Sequence, residues 1–402
     1  QLGETWSAPR IFRIPAIVPD TGNILNNGID GDKYVAVFGA GMGNVSMCAG
    51  NAFFIVDLEA GLDVGNASES LEEGPGEIYG ALVNNGPITI IDTDPAGVHT
   101  SDGHLTTAGG SDIGNAIPSS PIVITPETAS NIPWRGAMVY FNDLEGKITK
   151  LNLTSSTKND ADLFDQTTLF RLGANTDNKR YSYFSMDAGI GQTTREFWLF
   201  GGTGNFNDIG GGSKNMDNIL YGVKDPHYPY FKHLNGVIIP RETEDSFLSE
   251  AHKGANSAPS IDDAVVCKDT TGKISCEDGP TMGQQAWVVH LDTPDGKGPN
   301  ENSTNTFRKL SAAPTLFKGQ VYFPIYEPPQ GANPCNIGNA YICVADDECG
   351  SNNSHLLTPG GAANGKECNF VREGILSELV IFGDTLFANV ACLLYTSPSP
   401  RD

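Results

Sequence analysis

Basic charge is scarce in this sequence of 402 residues: 25 Lys and Arg stand against 48 Asp and Glu, for a formal net charge of −23. No cluster of Lys or Arg forms a stripe able to neutralise a phosphate backbone, so nucleic acid is excluded as a partner. Helical patterning is missing as well. No window of a dozen residues places apolar side chains at i, i+3, i+4 and i+7 without a Gly or Pro inside it, which argues against a helical bundle. No apolar run approaches the roughly 18 residues that a membrane-crossing helix requires, and no basic stretch followed by an apolar one opens the chain. The sequence starts in mid-pattern at Gln1, and the expectation is an N-terminally truncated fragment whose signal peptide belongs to a longer parent. Catalytic signatures are thin too. There is no G-x-S-x-G, no H-E-x-x-H among seven histidines, and no C-x-x-C among eight cysteines, so esterase elbows, zinc helices, zinc ribbons and thioredoxin-like chemistry have no support.

Turn chemistry, by contrast, is abundant. The 47 Gly and 25 Pro are spread along the whole chain, which suits many short strands joined by tight turns. One unit recurs, an apolar strand leading through a turn into a second: Tyr34–Gly39 with Ala52–Asp57, Ala137–Phe141 with Lys147–Leu153, Glu196–Gly201 with Ile219–Val223, then Ala286–Leu291, Gln320–Tyr326 with Ala340–Val344, and Leu379–Phe382 with Thr385–Val390. Such repetition predicts an all-β fold of several small sheets arranged radially, a β-propeller, with a β-sandwich pair as the alternative. The intervening stretches Asp20–Asp32, Glu59–Val83, Asn207–Asp217, Glu242–Asp263 and Asn333–Cys368 are then rim loops. Within the strand units, Asp143 and Gly146 mark a hairpin turn that needs positive φ, and Gly202 and Gly204 a corner where backbones approach closely.

The cysteines sit where staples would help polar loops. Cys267 and Cys276 flank a short loop, and Cys335, Cys343, Cys349 and Cys368 crowd a Gly- and Asn-rich stretch, which points to structural disulfides in an oxidising compartment with the pairing of the last four left open. Cys48 is expected as a buried free thiol, with half of a bridge to a lost segment as the alternative. Residues 392–402 are read as a non-native tail, because Leu393 to Asp402 resembles translated adapter read-through; they are left out of the fold prediction.

Six stretches, in order over residues 1–391, resemble the C-terminal propeller of the PilY family of type IV pilus-tip proteins. They are Leu2 to Pro9; Val37 to Gly41 with Phe54 to Asp57; the hairpin Ala137 to Leu153, close to the family's YxGDLxGNxWxxDL; Phe200 to Phe206, like its GTG(R/K)Y turn; Leu220 to Asp225; and Val321 to Pro329 with Pro334-Cys335 and Gly338 to Tyr341. The resemblance implies one propeller of about seven modified blades with quinoprotein-like architecture. It further implies a non-enzymatic biogenesis or adhesion factor on the outside of a bacterium, whose partners are pilins, minor pilins, or host and environmental surface ligands.

A calcium loop is also implied by the resemblance, just before the hairpin. Here that place runs from Ile124 to Trp134, where Glu127 is the one anionic side chain, and no ligand is carried over. A separate calcium candidate is Asn26, Asp30 and Asp32, whose oxygens alternate around Gly28 and Gly31 without the closing Glu of a full loop. A weaker oxygen-rich loop holds Asn205, Asn207, Asp208 and Asp217. Two other classes compete. A pyrroloquinoline-quinone dehydrogenase would need Trp-rich blade motifs, whereas the four Trp (Trp6, Trp134, Trp198 and Trp287) are isolated and fit blade packing. A lectin-like module would use exposed aromatics, for which Tyr228-Pro229-Tyr230-Phe231 is the candidate. Arg13, in the sialidase-like triplet Arg13-Ile14-Pro15, lacks the accompanying S-x-D-x-G-x-x-W boxes and is read as strand-to-turn sequence.

Overall fold

The computed structural model describes residues 5–15, 32–42, 52–58, 89–92, 98–99, 105–106, 116–125, 134–144, 146–155, 166–174, 178–206, 208–209, 216–231, 286–291, 307–329, 337–350 and 368–391. Every regular element among them is a β-strand, and the strands fall into two compact units.

The first unit holds two four-stranded antiparallel sheets. One joins β1 (Arg10–Ile14), β2 (Lys33–Gly39), β3 (Ala52–Asp57) and β4 (Thr89–Asp92) in chain order. After the short pair β5 (Val98–His99) and β6 (Leu105–Thr106) comes the other, with β7 (Ile122–Ile124), β8 (Gly136–Asn142), β9 (Lys147–Thr154) and β10 (Gln166–Arg171), again each strand beside its sequence neighbour. Period-two alternation decides what each face does. Val35, Val37, Phe53 and Ile55 from one sheet and Ala137, Val139, Phe141, Leu151 and Leu153 from the other close a single core, with Phe53 and Phe141 stacked at 4.4 Å. The opposite face of β8 and β9 carries Tyr140, Lys150, Asn152 and Thr154, and it is buried too. At the β8–β9 turn, Asp143 Oδ1 accepts from the Lys147 amide at 3.0 Å, Gly146 donates to the Asp143 carbonyl, and Gly146 takes φ +77°.

The second unit repeats the plan. β11 (Asp187–Ile190), β12 (Phe197–Gly202), β13 (Ile219–Asp225) and β14 (Ala286–His290) form one antiparallel sheet in chain order, although Asp225 at the end of β13 packs with the first unit. β15 (Lys309–Leu310) and β16 (Thr315–Phe317) both pair with β17 (Gln320–Glu327), which continues to β18 (Asn339–Asp346) and the edge strand β19 (Cys368–Glu373). An aromatic row, Trp198, Phe200, Trp287 and Phe323, runs with ring separations of 6.2 to 6.4 Å and fills the interior. The chain closes with β20 (Ile375–Leu376), β21 (Val380–Phe382), β22 (Thr385–Phe387) and β23 (Val390–Ala391); β21 pairs with β22, and β23 returns to β20.

Several expectations are corrected. The last strand pair forms the expected hairpin over Val380–Phe382 and Thr385–Phe387, but Val390 lies on β23, opposite Leu376 of β20. The supposed rim loop Asn333–Cys368 contains β18 and a buried turn at Asp347 to Cys349. Trp134, Trp198 and Trp287 are core residues, but Trp6 is 67% exposed and fills no interior.

Apart from the opening one, the PilY-like stretches have their described strand residues on the inner two strands of a sheet: β2 with β3, β8 with β9, β12 with β13, and β17 with β18. Inner strands hydrogen-bond on both edges and are covered on both faces, so their sequence is the most constrained by the sheet around them.

Candidate functional site

Asp225 organises a buried polar node in the first unit. Tyr140 and Lys150 face each other across β8 and β9, and both reach it: the Tyr140 hydroxyl donates to Asp225 Oδ2 at 2.7 Å and Lys150 Nζ lies 2.6 Å from the same oxygen. Asp225 Oδ1 accepts from the His227 amide at 3.0 Å, so the carboxylate is held from both sides. Lys150 also donates to the Tyr230 carbonyl at 2.7 Å, and Trp134 Nε1 donates to the Pro229 carbonyl at 2.6 Å. Burial is the main influence on ionisation. It pushes the Tyr140 and Tyr228 hydroxyls up, Tyr228 to about 12, with the Asp225 charge adding to the effect, and it lowers Lys150 against the pull of the same carboxylate. The node therefore clamps the segment Asp225 to Phe231. Tyr228 and Tyr230 are half-buried there and Phe231 is fully buried, packed near Lys150 Nζ at 5.7 Å.

In the second unit, Asp217 ties three segments together. Arg180 Nη2 pairs with Asp217 Oδ2, Arg180 Nε donates to the Asp217 carbonyl at 3.1 Å, and His290 Nδ1 lies 2.7 Å from Asp217 Oδ1. Burial opposes the charge on Asp217, but His290 and Arg180 together hold its carboxyl below the usual range. An imidazole oriented by a carboxylate has the arrangement of a general base. No hydroxyl or thiol among the described residues contacts His290.

Nearby, the oxygen-rich loop after β12 holds an ammonium. Lys309 is fully buried, and its Nζ donates to the carbonyls of Asp208 (2.7 Å), Asn205 (3.1 Å) and Ile209 (3.4 Å). Backbone oxygens that converge like this suit any small cation, and here the cation is a side chain. Gly204 is what lets Lys309 approach, since a Cβ there would collide with the Lys309 Cβ. Gly202 likewise lies against Leu220 and Leu310. Glu348 is a third clamp, accepting from the amides of Thr193 and Thr194 at 2.7 Å each; burial works against its charge, and these bonds keep its carboxyl low.

Of the calcium candidates, Asn26 and Asp30 lie outside the described residues, as does Glu127. Asp32 is described, and its carboxylate takes Arg135 at 3.1 to 3.3 Å through both oxygens. Among the described residues no three His, Cys, Asp or Glu side chains converge as a metal site. Cys343 and Cys368 are directly opposite on β18 and β19 and are disulfide-bonded; Cys349 is bonded as well, whereas Cys267, Cys276, Cys335, Cys48 and Cys392 fall outside the described residues. Arg13 stacks over the Tyr34 ring at 5.4 Å beside β2, a packing role within the sheet. No described helix is long and apolar enough to cross a membrane. Nothing in the sequence pattern marked Lys150, Asp225, Lys309 or Glu348 as nodes. The one available signal was polar residues at alternate positions of an inner strand, where a doubly covered sheet forces them inside.

No family model matches the chain, and no curated protein is similar to it by sequence. Among solved structures it is similar to the crystal structure of the Pseudomonas aeruginosa PilY1 C-terminal domain, at 14% identity and a TM-score of 0.48, over 97% of this chain and 71% of that one.

Proposed function

We propose that the chain is a β-propeller module, of about seven modified blades, from a PilY-type pilus-tip factor, and that it works by surface recognition rather than catalysis. The observation that carries this proposal is the coincidence of motif and position. The five internal PilY-like stretches have their strand residues on the central strand pairs of four successive antiparallel sheets, and apart from β16 neighbouring strands follow chain order, as in propeller blades. The described cations fit a scaffold: Lys150, Arg180, Lys224 and Lys309 are each held by an internal partner. Disulfides at Cys343–Cys368 and Cys349 suit an oxidising, extracellular location. Pilins, minor pilins and surface ligands are the partners proposed.

The test is retention of purified minor pilins and sheared type IV pili by the immobilised chain, together with particle images of the protein alone. Saturable retention and a ring of radial blades support the proposal. Failure to retain any pilin overturns the pilus role, and two packed sheets instead of a ring overturn the architecture. Calcium modulation through Asn26, Asp30 and Asp32 is part of the same proposal, and an ion there has to displace Arg135 from Asp32.

A further inference from the structure

At one end of the last large sheet, an aromatic pair and a fixed guanidinium are set side by side. Arg308 leads into β15 and its Nε donates to Glu327 Oε2 at 2.7 Å, while its guanidinium lies 4.3 Å from the centre of the Tyr341 ring. Glu327 Oε1 accepts from the Tyr341 hydroxyl at 3.3 Å and from Asn339 Nδ2 at 3.2 Å, so ring, amide and guanidinium are all braced by one carboxylate. The Phe370 ring on the edge strand β19 meets Tyr341 edge-on at 5.7 Å and is 57% exposed. Beyond Glu327 and Tyr341 the Arg308 side chain has no partner among the described residues, which leaves donors of its planar fork available.

The backbone is irregular on both sides of this group. Pairing of β18 with β19 skips Val371, because Ala340 is opposite Arg372 and Tyr341 opposite Phe370, a bulge of the kind that re-aims side chains. Phe307, immediately before Arg308, takes φ +55°, which is costly for an aromatic residue and persists only where its surroundings enforce it. Charge chooses the ligand class. Arg308 is already balanced by Glu327, and the chain carries −23 overall, so an anionic ligand meets repulsion with no net local attraction.

We propose that Phe370, Tyr341 and Arg308 form a binding site for an uncharged saccharide. The C–H face of a pyranose ring rests on Phe370, whose π-face is electron-rich, and sugar hydroxyls accept from the guanidinium held against Tyr341. This site goes beyond the pilus assignment and does not depend on it.

The test uses the whole chain on a printed array of neutral and acidic oligosaccharides at about 0.15 M salt, where long-range repulsion is screened within about 8 Å. Retention on neutral glycans is expected. Phe370→Ala should weaken it at least tenfold, and Arg308→Lys, which keeps the charge and loses the planar fork, should weaken it similarly. Phe382→Ala, on another strand and 81% exposed, should leave binding unchanged. Because Phe370 is largely exposed, its variant keeps the wild-type melting temperature, and a lower one is met by repeating the comparison with Phe370→Leu, which retains apolar bulk without the ring. The proposal is overturned if no neutral glycan is retained, if retention is confined to acidic glycans, if both site variants bind as the wild type does, or if Phe382→Ala costs as much as Phe370→Ala.

Discussion

Lys150 and Asp225 meet at 2.6 Å with neither side chain exposed to solvent, and the loop from His227 to Phe231 is fastened to the sheet through them. A buried ion pair adds little net stability over a well-packed apolar pair, but losing one partner strands the other in a medium of low polarity. Asp225→Ala and Lys150→Met should each destabilise the protein by about 3–5 kcal/mol in urea unfolding. A loss below about 1 kcal/mol in both would mean that water reaches the pair.

Acid should act in two opposite directions. The Asp347 carboxyl is raised from its ordinary value to about 6, chiefly by burial and then by the neighbouring charges of Asp346 and Glu348. The folded protein thus binds this proton more tightly than the unfolded chain does, and stability from this group grows as pH falls from 7 through 6 towards the ordinary carboxyl range. Asp217 is the reverse: its folded pKa is depressed, so its contribution is present above the ordinary value and is lost as pH falls through the lowered one. Melting temperatures of Asp347→Asn should be flatter than wild type between pH 7 and 5. A wild-type and Asp347→Asn pair with parallel profiles across that window would contradict the assignment.

The disulfide joining Cys343 to Cys368 closes a sequence separation of 25 residues and fixes the edge strand β19. Replacing both cysteines with Ala should cost about 3.5 kcal/mol by the loop-entropy relation. Hydrogen exchange at Asn369 and Phe370 should accelerate before that at Ile342 on β18, and equal acceleration of both strands would show that the bridge staples the whole sheet.

Removing the internal ammonium of Lys309 should loosen the loop it gathers. Lys309→Met removes the donor shared by the carbonyls of Asn205 and Asp208, at about 0.5–1.5 kcal/mol for each hydrogen bond lost, because Asp208 is exposed and Asn205 only partly buried. Limited proteolysis should find new cleavage around residues 205–209. Unchanged cleavage with unchanged stability would mean that other groups hold the loop.

The inner strand pairs were legible beforehand because their signal is local. Ala137 to Phe141 and Lys147 to Leu153 are apolar runs around a turn with Gly146 at positive φ, and such a hairpin needs nothing distant to define it. The outer partners β1, β7, β11 and β15 are short and weakly patterned, and only pairing to a neighbour makes them strands. The same limit hid the polar nodes. Lys150 and Asp225 are 75 positions apart, and Glu348 reaches Thr194 across 154.

The sequence alone therefore determined the all-β class, the positions of the turns, the central hairpin of each sheet and the cysteine-rich stretch, since each follows from short-range alternation, glycine conformation or composition. Tertiary structure decided which polar residues are interior, which carboxylate meets which cation, and that Phe370 faces solvent against the ring of Tyr341. Those outcomes depend on what covers the second face of each sheet, and contacts between segments far apart in the chain leave no periodic trace in it.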